Sequence, residues 1–196
     1  MSNDSVSEPF PYLETERLWL RQTTLEDGPD IFAVFADPKV TEFHNLETFQ
    51  TLGEALKVIE RRIEIFSDGH GIRWGIELKA TQHIVGSCGF SWHPDPAIKG
   101  AEMGYELASG LWRQGIMSEA LSAILRYGFE TKELSFVIAQ VMLDNVASKK
   151  LLETLGFESQ KIIQQGGFWK GQHHDLEQFV LEKSDFAFSA ARRTNQ

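Results

Sequence analysis

The sequence predicts a mixed α+β domain built on a central, mostly antiparallel twisted sheet of about six to seven strands. Three apolar segments follow one another at close spacing, at 73–79, 84–92 and 101–107. This spacing is typical of an antiparallel meander. The third segment then runs through a Gly-containing turn into an amphipathic segment at about 116–131. A strand, a turn and a helix in this order indicate a right-handed β-α-β crossover to a later strand.

The segments before the meander predict one strand and two helices. Polar and apolar residues alternate at 17–23, which predicts a strand. Thr24 then suits the N-cap of a helix that Asp37-Pro38 ends. Residues 39–50 show no regular pattern, whereas 51–67 has an apolar stripe at helical spacing and stops before Gly69.

The second half of the chain predicts a strand at 136–143, a short helix at 145–155 and strands at 157–165 and 176–181. The whole order is β-α-α-β-β-β-α-β-α-β-β. No internal repeat or linker interrupts it, so we expect one domain at 13–183 with tails at 1–12 and 184–196.

Composition and charge limit the function classes. The net charge of −9 argues against nonspecific binding to nucleic acid or anionic membranes, and it favours the approach of a cationic substrate. The polar N-terminus does not resemble a signal peptide, and no segment is apolar enough for a membrane span. Cys88 is the single cysteine and stands among small residues, which predicts a buried thiol and a cytoplasmic protein.

The turn between the third meander strand and its helix offers a place for an anion. Gly115 precedes the helix, and the first N–H groups of a helix have no partner within it. Together with the helix dipole they suit a phosphate group. The same pattern also fits a simple connection between a strand and a helix, so the turn alone leaves both interpretations open.

Three motifs resemble the GNAT superfamily of acetyl-CoA-dependent N-acetyltransferases, in particular the branch of RimJ/RimL-type enzymes that acetylate ribosomal-protein N-termini. The first comprises Ala101-Glu102-Met103-Gly104-Tyr105 and the Trp-Arg-Gln-Gly-Ile-Met-Ser-Glu-Ala segment at 112–120. The others are Asn145-Val-Ala-Ser148 and Leu155-Gly-Phe157. The resemblance spans about 14–183. Trp112 and Met117 depart from the family's usual pyrophosphate loop, and we interpret Met117 as a variant of this branch.

The resemblance implies a GNAT fold in which the fourth and fifth strands form a parallel, splayed pair. It also implies acetyl-CoA as co-substrate, no metal, and direct attack by an amine in a ternary complex. Backbone groups at 106–108 would hold the pantetheine arm, and those at 114–118 would hold the diphosphate. The residues expected at the cofactor are Leu107, Ala108, Trp112, Arg113, Gln114, Gly115, Ile116, Met117, Ser118, Asn145 and Ser148.

Three residues are candidates for the chemistry. Ser148 matches the family's proton donor to the departing thiolate, although a serine in the first turn of a helix capped by Asn145 is also common for local reasons. Glu102 and Glu106 are candidates for the general base; four residues apart on one strand, they share a face. Either could instead be a surface carboxylate, and His93 is a further candidate base.

The acceptor is not identified by the sequence. We expect the irregular segment at 39–50 and the loop at 166–172 to form the walls of its pocket, and the residues expected there are Phe43, His44, Trp92, Tyr105 and Trp169. His173 and Asp175 could share a face, but a junction near the acceptor pocket is the interpretation preferred over a metal site. The acceptor is expected to be a protein N-terminus. The alternatives are a polyamine, amino acid or antibiotic, or a sensor that binds acyl-CoA without turnover, in a monomer or homodimer.

Overall fold

The computed structural model describes residues 9–186, which form an eight-stranded sheet in the order β1-β2-β3-β4-β5-β6-β8-β7. The strands are β1 (Leu13–Glu14), β2 (Leu18–Arg21), β3 (Gly71–Leu78), β4 (His83–Trp92), β5 (Gly100–Leu107), β6 (Phe136–Met142), β7 (Glu158–Trp169) and β8 (Gln172–Glu182). The helices are α1 (Gly28–Phe35), α2 (Pro38–Thr41), α3 (Leu52–Ser67), α4 (Ile116–Arg126) and α5 (Val146–Leu155).

The predicted mixed fold and its parallel splayed pair are confirmed. Within residues 9–186, β5 and β6 are the single parallel pair, and all other neighbouring strands are antiparallel. β5 and β6 are in register only at Gly100–Phe136, Ala101–Val137 and Glu102–Ile138. Beyond Glu102 the strands separate, so the last five residues of β5 face a gap in the sheet.

The elements differ from the sequence-based expectation in several places. β7 and β8 extend through most of the loop expected at 166–172 and leave a two-residue turn at 170–171. The helix expected from Thr24 begins with a 3-10 turn at Leu25–Asp27, before α1.

The sheet has eight strands because the two-residue β1 pairs Leu13 with Leu20, and a strand this short has no periodicity to detect. The segment at 39–50 was expected to be irregular, but α2 begins just before it, where the Asp37 carboxylate accepts a hydrogen bond from Lys39 N at 3.0 Å. The helix predicted to 131 is α-helical to Arg126 and ends in one π-helical turn.

The two faces of the sheet bury separate layers of helices. The main core packs α4 and α5 against one face around the fully buried Trp74. A smaller apolar cluster fills the space between α1, α3 and the start of β4 on the other face. Since successive side chains of a strand point to opposite faces, neighbouring residues of β5 reach different helix layers.

The two ends of the described chain pack onto this core. Phe10 lies 4.8 Å from Phe66 between ring centroids, and Trp74 Nε1 donates to Pro11 O at 2.7 Å. At the other end Phe186 packs on Phe129 at 5.0 Å. The rest of the predicted tails, 1–8 and 187–196, lies outside the described residues. In the described part of the chain no helix has the length and apolar character of a membrane span.

Candidate active site

The edge of β5 that faces the gap presents the Leu107 N–H group. Ala108 N donates to Val85 O of β4 at 2.8 Å, so this N–H group points toward β4. Because N–H groups of consecutive strand residues point to opposite edges, the Leu107 N–H points into the gap. The Leu107 carbonyl accepts a hydrogen bond from Trp112 Nε1 at 2.8 Å. Of the backbone positions at 106–108 predicted to hold the cofactor arm, Leu107 thus faces the open edge, and Ala108 is bonded to β4.

The start of α4 has the properties of an anion site. Gly115 is its N-cap with φ +75°, and no side chain caps the helix. Ile116 and Met117 bury their side chains in the core, at 4% and 7% exposure. Their backbone N–H groups therefore lie at a helix start that is fixed by packing. Met117 does not obstruct this site, because its side chain points into the core.

A polar cluster that the sequence did not predict braces the loop before α4. Arg17 Nη1 donates to Gln114 O at 2.9 Å, and Arg17 Nε pairs with Glu119 Oε2 at 2.6 Å. Thr15 Oγ1 donates to the same carboxylate at 2.5 Å. These contacts tie the turn between β1 and β2 to the first turn of α4. They fix the loop that precedes α4, in which Arg113 has the left-handed φ of +62°.

Beside the gap, on the face covered by α4 and α5, two hydroxyl groups meet. Tyr105 Oη and Ser148 Oγ lie 2.6 Å apart. The Asn145 side chain caps α5 by accepting from Ser148 N at 3.1 Å. Asn145 therefore has the local role that the sequence left open, whereas the Ser148 side chain turns to Tyr105. Burial raises the pKa of Tyr105 to about 12, so its hydroxyl keeps its proton at neutral pH.

The opposite face of β5 holds a buried carboxylate. Glu106 pairs with Arg62 Nη2 at 2.9 Å and with Arg73 Nη2, and it accepts a hydrogen bond from Ser87 Oγ. His44 Nε2 lies 3.8 Å away. Burial alone would raise the pKa of Glu106, but the Arg73 and Arg62 guanidiniums outweigh it and hold that pKa far below its usual range. Such a carboxylate is a poor proton acceptor.

Glu102 has the opposite electrostatic setting. It lies on the same face of β5 at the point where β6 separates, opposite Ile138. Its residue is exposed, yet the surrounding protein partly desolvates the carboxylate and raises its pKa. Two carboxylates of one strand whose pKa values shift in opposite directions differ in their capacity to take a proton. Of the pair, Glu102 is the better placed to act as a base.

The expected walls of the acceptor pocket are partly brought together. Lys170 Nζ at the tip of the β7–β8 hairpin donates to Thr41 O at 2.5 Å, which joins the hairpin to the segment that includes the partly buried Phe43. In the hairpin Trp169 stacks on His174 at 4.4 Å. Trp169 Nε1 is buried and has no hydrogen-bond partner among the described residues.

Two other residues expected at the acceptor make their contacts away from these walls. Tyr105 contacts Ser148 on the α5 side of the sheet. Trp92 stacks on Phe90 at 5.7 Å and packs against the main core. The alternation of side chains along β5 could have predicted this for Tyr105. Tyr105 and Glu106 are neighbours on the strand, so their side chains must lie on opposite faces of the sheet.

The remaining candidate groups have local contacts. His93 Nδ1 accepts from Asp95 N at 3.1 Å in an exposed turn. Asp175 Oδ1 accepts from Gln165 N at 2.8 Å, and no group of three potential metal ligands occurs among residues 9–186. Burial raises the pKa of Cys88 to about 12, so this enclosed residue stays a thiol.

Comparison with known proteins decides the family. Residues 17–158 match the family model described as an acetyltransferase (GNAT) domain. The chain belongs to this family. The uncharacterized N-acetyltransferase YoaA of Bacillus subtilis is 36% identical over 174 residues, which is 89% of this chain and 98% of YoaA. This GNAT protein is therefore an N-acetyltransferase.

Ribosomal-protein acetyltransferases are more distant relatives of this GNAT chain. The ribosomal protein uS5-alanine N-acetyltransferase of Escherichia coli is 29% identical over 97 residues, half of each chain. The solved structure of RimL, a ribosomal L7/L12 α-N-protein acetyltransferase in complex with coenzyme A, superposes with a TM-score of 0.76. It is 20% identical, with 88% of this chain and 98% of RimL covered. At that identity it supports the fold.

Proposed function

We propose that this GNAT protein transfers an acetyl group from acetyl-CoA to a primary amine by direct attack in a ternary complex. The observation that carries the proposal is the gap between β5 and β6, with the Leu107 N–H on its edge and the uncapped start of α4 beyond its end. A thioester needs a hydrogen-bond donor at its carbonyl, and a diphosphate needs backbone N–H groups. Both kinds of donor occur between the end of β5 and the start of α4.

The residues present fit acetyl-CoA. The N–H groups from Gln114 to Ser118 would take the diphosphate, since α4 has no capping side chain to compete for them. The free edge of β5 up to Leu107 would hold the pantetheine amides as an added strand. The RimL structure contains coenzyme A, which supports the assignment of the donor class.

The protein's own groups supply the remaining steps. The Leu107 N–H stabilises the charge that develops on the thioester oxygen. Ser148, with Tyr105 behind it, donates a proton to the departing thiolate. Glu102 takes the proton of the attacking amine, directly or through water. Glu106 does not act as the base, because it is fully paired and holds two guanidiniums in place on the acceptor side.

The first candidate for the acceptor is a protein N-terminus of the ribosomal type, as in the two ribosomal-protein acetyltransferases named above. A small-molecule amine is the second candidate. An acyl-CoA sensor without turnover is disfavoured, because a pure binder has no need of the hydroxyl pair beside the gap.

The experiment that tests the proposal measures CoA release from acetyl-CoA with a panel of N-terminal peptides and small amines. We expect turnover that depends on an amine, with sequential rather than ping-pong kinetics. Turnover of peptides alone supports the ribosomal type. Binding of acetyl-CoA without turnover of any acceptor would favour a sensor, and absence of binding would exclude both.

Gly115→Val provides a binding control for the same assay. A β-branched residue at φ +75° is strained, so we expect the start of α4 to shift and acetyl-CoA affinity to fall by about 10-fold or more. Gly69→Val is the matched control, because Gly69 has φ +72° at the far end of α3. Equal losses of affinity in the two variants would show that Gly115 has only a general structural role.

Glu102→Gln tests the base by its pH dependence. We expect turnover near pH 6 to fall by about 100-fold, because the acceptor amine is then protonated and needs a base. The loss should shrink as pH approaches about 8, where an α-amine is largely neutral by itself. Glu158→Gln, an exposed change on β7, serves as control. A loss of the same size at every pH would contradict a role as base.

A further inference from the structure

Arg73 reaches from β3 to β5 across two glycines. In the register of the sheet Arg73 lies opposite Gly89, which lies opposite Gly104. These two positions lack side chains, so the long Arg73 side chain can lie over them. A Cβ atom on Gly104 would come within 3.1 Å of Arg73 Nη1. The guanidinium therefore sits over β5 between Glu102 and Glu106, on the acceptor side.

One edge of this guanidinium is used by the protein and the other is free. Arg73 Nε donates to Ser87 Oγ at 2.7 Å, and Nη2 pairs with Glu106. Nη1 has no hydrogen-bond acceptor among residues 9–186. The Arg73 side chain is 24% exposed, so part of it is accessible to solvent.

The cluster has more positive than negative charge. Arg62 and Arg73 share the single Glu106 carboxylate, and His44 Nε2 lies 3.8 Å from it. Arg62 Nη1 is buried without a hydrogen-bond partner in the described chain, so a second donor of the cluster is unmatched. Glu102 lies two residues before Gly104 on β5, and burial raises the pKa of its carboxyl. Within the described residues no ion pair joins Glu102 to Arg73. This local positive charge contrasts with the net charge of −9.

We propose that the free edge of Arg73 binds a carboxylate that the acceptor carries next to its reactive amine, with His44 at the side of this subsite. A guanidinium edge matches a carboxylate in geometry and charge. The carboxylate is either the α-carboxylate of a free amino acid or the side chain of an acidic first residue of a peptide. The inference rests on the proposed acetylation of amines and excludes polyamines as the preferred class, since Arg73 repels a second ammonium group.

The first test compares matched acceptors on the unaltered enzyme. The pairs are alanine with its α-amide and a peptide that begins with Asp with one that begins with Asn; spermidine is tested alone. We expect the acceptor with the carboxylate to have a kcat/KM about 10- to 100-fold higher than its amide partner. A preference within the first pair identifies a free amino acid, and one within the second pair identifies an acidic N-terminus.

Arg73→Gln then assigns the preference to this residue. We expect the ratio of kcat/KM between acid and amide acceptors to fall to within about 3-fold of one, mainly through acceptor KM, with acetyl-CoA affinity unchanged. Arg73→Lys should restore part of the ratio, and Arg61→Gln, an exposed change on α3, should leave it unaltered. If Arg73 had a purely structural role, the substitution would lower kcat/KM for both acceptors alike and leave their ratio unchanged.

The outcomes separate this inference from the proposed function. If acids and amides are acetylated equally well, or if spermidine is the best acceptor, the carboxylate subsite is refuted while acetyl transfer to amines stands. If acid acceptors are preferred but Arg73→Gln retains the preference, Arg73 is not the subsite. If no amine of the panel is acetylated, the proposed function fails and the subsite with it.

Discussion

Replacing Glu106 by glutamine should lower the free energy of unfolding by about 3 to 5 kcal/mol. The Glu106 side chain is 3% exposed, and it neutralises Arg62, whose side chain is 9% exposed. Burial lowers the pKa of Arg62 to about 10, and the charge of Glu106 opposes this shift. Glutamine would keep the shape but leave two guanidiniums facing a neutral amide. Urea denaturation of both proteins measures the difference.

The same variant has a defined pH signature. Because the pKa of Glu106 is lowered in the folded state, its stabilisation is complete above its unfolded pKa of about 4.3 and is lost as pH falls toward the folded pKa. The difference in unfolding free energy between the native protein and Glu106→Gln should therefore be constant above about pH 5 and should narrow below about pH 4.

Glu77→Gln is the matched control for the buried carboxylate. Glu77 pairs with Arg21, which is 28% exposed and has Asp27 as a second partner. Removing the Glu77 charge thus leaves Arg21 neutralised and hydrated, and we expect a loss of about 1 kcal/mol. Equal losses in the two variants would mean that the Glu106 cluster is no more than an ordinary partly exposed ion pair.

Local patterns were sufficient for most of the fold. The meander, the apolar stripe of α3 and the stop signals at Gly69 and Gly156 lie within short windows, and the structure has elements at each. The pattern could not show that β5 and β6 separate after Glu102, because that depends on the register between segments more than thirty residues apart. The family resemblance, not the periodicity, predicted the gap.

The candidate site was predictable where it consists of backbone and less so where side chains meet across the fold. Gly115 stood out because a glycine before a helix has a local reason. The contacts of Glu106 with Arg62 and Arg73 join positions 44 and 33 residues apart, and nothing in the spacing indicates them. The negative net charge suggested a cationic acceptor, whereas the residues of the pocket face give the opposite local sign. Whole-chain charge does not determine the charge at a site.

Ser148→Ala should lower turnover by about 100- to 10,000-fold at saturating substrates, with little change in acetyl-CoA affinity. The Ser148 hydroxyl is not needed for the end of α5, since Asn145 caps the helix through the Ser148 backbone N–H. Its contact in the structure is the Tyr105 hydroxyl at 2.6 Å. A loss of turnover would therefore report on proton donation to the thiolate rather than on helix stability. Ser67→Ala, which removes a hydroxyl bonded to Glu64 O in α3, is the matched control.

A double-mutant cycle with Tyr105→Phe shows whether the two hydroxyls act together. If Tyr105 delivers its proton through Ser148, removing the second hydroxyl after the first has little further effect on turnover. The turnover of the double variant should then be no lower than that of the worse single variant. Losses that multiply would mean that the two hydroxyls act separately. Because the pKa of Tyr105 is raised by burial to about 12, the pair should stay protonated across neutral pH. In the pH–rate profile of either single variant, the basic limb should then stay above about pH 9. A basic limb that moves below about pH 9 would contradict a role of this hydroxyl pair as the proton donor.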